Sequence, residues 1–274
     1  MSVDVVSSGL AADRWLAADR WLAADRWLAA DRMAMWEQAQ VVGVERGAAG
    51  TLLRLRLGEV PDVLPGQYYL VRLAVDAPPG VAEQAYSLCS SPHPPSAEVE
   101  IAVREVPGGR VSPVLGREVE VGDLLQVRGP FGFLTWTERD GGPVGLIGAG
   151  TGVAPLVAIV RYAAAHRLDV PMTLFCSSRD RTTALLGDEL EALCRDVAWF
   201  RFVRTFSRNL HDPSARYHRR IDADMLAEVF EAVPHRWRPR LYYVAGPGDM
   251  VIAVRALLGS LGVADDRICS EDHA

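Results

Sequence analysis

The run PVGLIGAGTGVAPLVAIVRYAAA, residues 143–165, decides the fold. It reads as an apolar strand at residues 144–147, a loop Gly148-Ala149-Gly150-Thr151-Gly152, and a helix from about Ala154. Glycines in such a loop let the backbone approach a diphosphate, and the following helix N-terminus supplies amide donors. Gly148, Gly150 and Gly152 are evenly spaced and followed by Pro155, which is not the GxGxxG dinucleotide fingerprint. On these residues alone, a tight turn without a ligand is equally open. Residues 141–160 carry no charge over a length that allows a membrane span. Six glycines and Pro155 interrupt that run, and no aromatic or basic belt flanks it, so a buried strand, turn and helix fit better.

Downstream, strands at residues 172–176, 198–205 and 241–245 alternate with helices at 188–194, 222–230 and 249–261. This alternation predicts a parallel sheet with helices on both faces. Polar groups gather just after the strands: Ser177, Ser178 and Arg179, then Ser207 and Arg208, then Gly246, Pro247 and Gly248. In open α/β sheets, ligands bind outside these carboxyl ends.

Upstream the period changes. Short alternating segments at residues 39–44, 51–57, 68–73, 99–106 and 123–128 are separated by Pro65-Gly66-Gln67, Pro107-Gly108-Gly109 and Gly122-Asp123. They predict an antiparallel β-barrel of about 100 residues, ending in GPFGF at 129–133. Within it, QAYSLCSSP at 84–92 places Tyr86 and Ser87 at a strand end. There they offer an aromatic face and a hydroxyl donor to a ligand, or else pack a core edge and cap a loop.

From Leu10 to Met33 the chain repeats LAADRW, with Met closing the fourth copy. A six-residue period turns successive tryptophans to three different sides of a helix, so it builds no apolar stripe. A helical partner- or membrane-binding arm, a solvated extension without a role, and a true start at Met33 or Met35 all remain open. Residues 1–34 are therefore set apart as a low-complexity tail, disordered or helical, from domains expected at 35–138 and 139–274. The first ten residues show no secretory signal pattern, and the scattered cysteines fit a reducing, cytoplasmic setting.

Across 274 residues, 49% hydrophobic and 23% charged content is that of a globular protein rather than a disordered chain. A net charge of −6 argues against a nucleic-acid partner. All 29 basic residues are arginine, which forbids lysine Schiff-base chemistry. Cys89, Cys176, Cys194 and Cys269 lie too far apart for a zinc or iron–sulfur motif, so no metal is expected. No histidine pairs with an evident serine or cysteine nucleophile.

The order PGQYYLVRL, AYSLCSSP, GGRVSPVL, GDLLQVRGPFGF, LIGAGTGVAPL, AGPGDM resembles the ferredoxin–NADP reductase superfamily from about Trp36 to the C-terminus. The resemblance implies an N-terminal antiparallel Greek-key flavin-binding β-barrel followed by a parallel-sheet α/β domain that binds NADPH or NADH. By it, Tyr86 stacks on the FAD isoalloxazine and Ser87 sits near N5, with Gln84 and Leu88 in the same motif. Ala102, Val103 and Arg104 then offer backbone to the ribityl chain, and Gly109, Arg110, Val111 and Ser112 meet the flavin diphosphate. Gly150, Thr151 and Gly152 would hold the pyridine-nucleotide diphosphate, and Gly246, Pro247 and Met250 the nicotinamide ribose. Ser178, Arg179, Ser207 and Arg208 fall where the adenosine end is recognised, and an arginine there can pair a 2′-phosphate or stack on adenine.

The implied activity is electron transfer from NAD(P)H through FAD to a ferredoxin, an oxygenase or oxidase component, or a small molecule. A flavin reductase and a non-catalytic nucleotide-binding subunit are the alternatives. Three departures stand out. Gln84 replaces the family arginine that pairs with flavin phosphate, a loss of about 1.5–3 kcal/mol unless Arg104 or Arg110 substitutes. Ala245 replaces a cysteine, and the chain ends Asp272-His273-Ala274 where many members carry an aromatic.

Overall fold

Alternating apolar residues in the first half of the chain and continuous apolar runs in the second produce two different sheets. The computed structural model describes residues 35–75 and 80–273; the repeat and the tail expected over 1–34 lie outside the described residues. Six antiparallel strands come first: β1 (Glu37–Gly47), β2 (Gly50–Arg56), β3 (Tyr68–Ala74), β4 (Val81–Ser87), β5 (Glu98–Val103) and β6 (Leu124–Phe131). Their spatial order is β4-β3-β6-β1-β2-β5. Beyond β4, Leu88 bridges antiparallel to Ile101 and the Cys89 N–H donates to the Glu100 carbonyl at 2.8 Å, which joins the two outer strands and closes a Greek-key barrel. Inward residues Val41, Leu53, Leu55, Val71, Ile101 and Val127 fill it. A short helix, α1 (Ser112–Arg117), adds Leu115 to that core.

Of β4 only the end at Tyr86 and Ser87 was expected, and α1 was not among the expected elements. Residues 83–85 are all exposed and 86–89 all buried, so β4 lacks the alternation that marks a half-buried strand. In α1, Pro113 sits in the first turn, where its missing N–H costs nothing.

The second sheet is parallel. It comprises β7 (Val144–Ala149), β8 (Met172–Ser178), β9 (Phe200–Phe206), β10 (Leu241–Gly246) and β11 (Ile268–Asp272), in the order β11-β10-β7-β8-β9. On one face α2 (Val153–Ala165) and α3 (Gly187–Asp196) cover Leu146, Leu174 and Tyr243. On the other, α4 (Ala223–Leu226) with its π-helical continuation and α5 (Gly248–Ser260) cover Ile147, Phe175 and Val244. Leu134 and Trp136, from the connection after the barrel, pack into the α2-side core, and the Trp136 indole donates to Gly141 O at 2.8 Å. The edge strand β11 was also unforeseen; ICSED is too polar to read as a buried parallel strand.

A small cluster of Cys89, Ala102, Ala154 and Leu185 packs the barrel against the parallel-sheet lobe. Among the described residues, no helix is long and apolar enough to cross a membrane, and no group of His, Cys, Asp and Glu could hold a metal ion.

Candidate functional site

The segment at the barrel seam is squeezed between two cores. Tyr86 and Leu88 belong to the barrel interior, while Cys89 packs outward against Ala154 and Leu185. By the two-residue period of a strand, Ser87 shares the outward face with Cys89. Tyr86 and Ser87, expected to serve one ring together, therefore stand on opposite faces of the strand. Tyr86 is only 7% exposed. Its hydroxyl is buried without a hydrogen-bond partner, and burial pushes its pKa well above the usual phenol value. Gln84, two residues earlier, is exposed.

β5 follows the same parity. Val99, Ile101 and Val103 point into the barrel, so Glu100, Ala102 and Arg104 face the other lobe. Ala102 meets Ala154 in the small cluster. The Arg104 guanidinium donates to Thr183 O at 2.9 Å, and its Nη1 lies 3.0 Å from where a Cβ on Gly150 would stand. Burial, and then the nearby Arg179 charge, lower the Arg104 pKa. Arg104 thus reaches toward the glycine turn, while Arg110 stays exposed on the barrel side. Ser112 is buried, and its hydroxyl accepts from the Val106 N–H at 3.0 Å, folding the Gly109–Val111 turn over itself.

At the carboxyl end of the parallel sheet, Gly150 has φ +59°, a conformation that favours glycine. Gly152 lies so close to β10 that an added Cβ would stand 2.3 Å from the Ala245 carbonyl atoms. Thr151 sits between them, half-buried. The structure therefore brings the turn at 150–152 against Ala245 and Gly246, with the Met250 methyl close to Gly246 and Met250 N bonded to Pro247 O at 2.8 Å. The loops after β8 and β9 are zipped together: Ser207 N donates to Ser178 O and Arg208 N to Arg179 O, both at 2.9 Å. Arg179 and Arg208 are exposed side by side. At the chain end, His273 N bonds Gly246 O at 2.8 Å, and the His273 ring lies 3.1 Å from Glu271 Oε1.

These residues fit the two expected groups. α2 starts at the glycine turn with no side-chain cap and no acidic residue in its first turn, so its positive dipole is open to an anion such as a diphosphate; Val153 N–H is already bonded to the Gly150 and Thr151 carbonyls and Pro155 has none, which leaves the turn's own amides and Ala154 N–H as the donors. The unpartnered Tyr86 hydroxyl offers a buried hydrogen-bonding group to a flavin. What sequence reasoning missed is the outward face of β5, together with Arg161 of α2 and Glu189 of α3, which meet it; their spacing along the chain gives no signal.

Comparison with known proteins agrees with both lobes. Residues 50–136 match the oxidoreductase FAD-binding domain family and residues 146–256 the oxidoreductase NAD-binding domain family. The reductase component of propane 2-monooxygenase from Mycolicibacterium smegmatis is 26% identical over 76% of this chain and 58% of its own length. The electron transfer component of 2-halobenzoate 1,2-dioxygenase from Burkholderia cepacia is 29% identical over 81% of this chain and 62% of its own. This chain therefore spans less than two thirds of either relative. The FAD/NAD-binding domain of a nitric oxide dioxygenase from Vibrio cholerae superposes with a TM-score of 0.76 at 25% identity, over 86% of this chain and 98% of that one. With a closed flavin-type barrel, a parallel nucleotide sheet and both domain families in sequence, the chain belongs to the ferredoxin–NADP reductase superfamily and carries an FAD-binding and an NAD-binding domain.

Proposed function

We propose that this protein is an NAD(P)H-dependent flavoprotein oxidoreductase that delivers electrons to a separate acceptor: a ferredoxin, an oxygenase or oxidase component, or a small molecule. We divide it into a flavin domain at 35–138 and a nucleotide domain at 139–274, working in the cytoplasm, where its four free cysteines stay reduced. The observation that carries the reading is the contact of Cys89 and Ala102 with Ala154, two residues past the glycine turn, which sets the flavin segment beside the nucleotide segment. Held by these residues, FAD would supply the hydride-accepting and one-electron-releasing chemistry between reduced nicotinamide and the acceptor. Tyr86 and Ser87 are assigned to orient the flavin ring, Ser87 from the face turned to the nucleotide lobe. Leu88, Ala102 and Val103 hold the seam behind it, and Gly109, Arg110, Val111 and Ser112 the flavin diphosphate. Gly150, Thr151 and Gly152 present amides to the nucleotide diphosphate, and Arg104 adds charge from the barrel side. Gly246, Pro247 and Met250 shape the nicotinamide end. Ser178, Arg179, Ser207 and Arg208 receive the adenosine end, where two exposed arginines favour NADPH over NADH.

A second reading, NAD(P)H:flavin reductase, is favoured by Gln84, which leaves the flavin phosphate without its charged partner and makes the cofactor exchangeable. Adding NADH or NADPH anaerobically to the FAD-loaded protein tests the central claim: the visible flavin absorbance should bleach. A protein that stays inert after FAD is supplied is not this enzyme.

A further inference from the structure

Arg161 stands about two turns into α2, roughly 12 Å along the helix from the glycine turn at 1.5 Å per residue. Its guanidinium uses every edge. Nε and Nη2 bind Glu189 of α3 as a fork, each at 2.7 Å, while Nη1 donates to Glu100 Oε1 at 2.7 Å and to the Cys89 carbonyl at 2.8 Å. Arg161 and Glu100 side chains are only 23% and 19% exposed. The fully buried Cys89 thiol donates to the same Glu100 oxygen at 3.2 Å. Burial pulls the Arg161 pKa down, but the hydrogen bonds to Glu189 and Glu100 outweigh it and keep the group charged. Burial and Glu100 both push the Cys89 pKa up, so the sulfur stays a neutral thiol donor. Just past the helix end, the His166 ring lies against His93 with centroids 3.8 Å apart. α2 therefore grips the segment following Ser87 at three places: Ala154 and Arg161 on Cys89, and His166 on His93.

We propose that Arg161 is a positioning residue that fixes the segment bearing Tyr86 and Ser87 at a set distance from the glycine turn, and so aligns the flavin with the nicotinamide. This rests on the function proposed above. The helix acts as a strut, with the nucleotide turn at one end and the flavin segment pinned to its flank. Hydride transfer depends steeply on how the two rings are held, so a slack strut slows the transfer while leaving each ligand bound. A lysine keeps the charge, but its three N–H donors radiate from one nitrogen, which cannot form the two-pronged fork on Glu189 and also reach Glu100 and the Cys89 carbonyl.

The test uses the full-length chain with R161K, E100Q and the double variant. In R161K and E100Q, FAD retention and the affinity for oxidised nucleotide should match the parent. The rate of anaerobic flavin reduction at saturating NAD(P)H should fall at least about tenfold, with loss of the long-wavelength charge-transfer absorbance. The double variant should be no slower than the worse single one, because both changes cut the same link. In the flavin-free chain, R161K should raise amide exchange across residues 87–91 by about tenfold, a readout independent of activity. R161K that binds both ligands and reduces at the parent rate overturns the proposal, and so does R161K that simply loses FAD. If the parent itself is not reduced, the functional reading fails instead, and unchanged exchange in R161K then overturns the strut by itself.

Discussion

Replacing Gly152 by alanine separates packing from ligand binding in the glycine turn. The backbone φ at Gly152 is −62°, so alanine meets no conformational strain there. The obstacle is steric: the new Cβ would stand 2.3 Å from Ala245 C and O and 2.4 Å from Gly246 N, about an ångström short of ordinary contact. Those atoms are backbone of β10, which is held on one side by β7 and on the other by β11, so they cannot move without tearing a ladder. Overpacking costs typically 1–3 kcal/mol, and a clash against immobile backbone belongs at about 3. At roughly 2–4 °C per kcal/mol for a chain of this size, the melting midpoint should fall by roughly 6–12 °C. Gly150→Ala is the control. It pays about 1–2 kcal/mol for an alanine at φ +59°, but its Cβ meets only the tip of the flexible Arg104 side chain, at 3.0 Å. It should melt about one third to two thirds as far below the parent while weakening nucleotide binding by displacing that guanidinium. Thermal melts followed by far-ultraviolet circular dichroism, with nucleotide titrations alongside, measure both. Gly152→Ala within about 1 kcal/mol of the parent, or Gly150→Ala the less stable of the two, would refute the packing argument.

Gln84→Arg should tighten FAD retention about ten- to hundredfold, the worth of one charged contact to phosphate; an unchanged fluorescence titration would mean that Arg110 already fills the role. Tyr86→Phe removes a buried hydroxyl that has no partner, so the flavin-free chain should gain about 1 kcal/mol while FAD affinity falls. A flavin-free melting point that does not rise argues against an orphaned hydroxyl. The Tyr162 hydroxyl donates to Glu138 Oε2 at 2.7 Å, and burial, followed by that bond, raises its pKa from 10.0 to about 12. A raised folded-state value stabilises below the unfolded one, so this contribution is complete below pH 10.0 and is lost as pH climbs to about 12. Tyr162→Phe should make the decline over that window shallower, the other buried tyrosines supplying the remainder, and parallel decline in both proteins would sink the assignment.

The sequence makes the parallel sheet readable because its strands are buried on both faces and read as unbroken apolar runs, with Gly150 and Gly152 marking the first turn. It leaves β11 unread because an edge strand of Ile268–Asp272 keeps one side open and can carry Ser270, Glu271 and Asp272. β4 shows only its end, at Tyr86 and Ser87, for the opposite reason: the second lobe covers its outer face after Ala85, so Tyr86, Ser87, Leu88 and Cys89 are buried in succession and the period of two vanishes. The candidate ligand segments were visible as local motifs. The contacts between the lobes were not, since Arg161 lies 61 residues from Glu100 and Arg104 lies 79 from Thr183, and no local pattern encodes such pairs.

Those contacts nevertheless obey a local rule. β5 closes the barrel with one face and meets the nucleotide lobe with the other, so its register decides both. Shifting β5 by one residue against β2 would turn Val99, Ile101 and Val103 outward and drive Glu100 and Arg104 into an apolar core. Burying unpaired charge there costs several kcal/mol, far more than any single interface contact returns. The barrel core therefore selects the register, and the register delivers Glu100 to Arg161, Ala102 to Ala154 and Arg104 to Thr183. Alignment of the two ligand segments follows from hydrophobic alternation in a six-residue strand, whose outward face carries both the small apolar cluster and the polar ties to the nucleotide lobe.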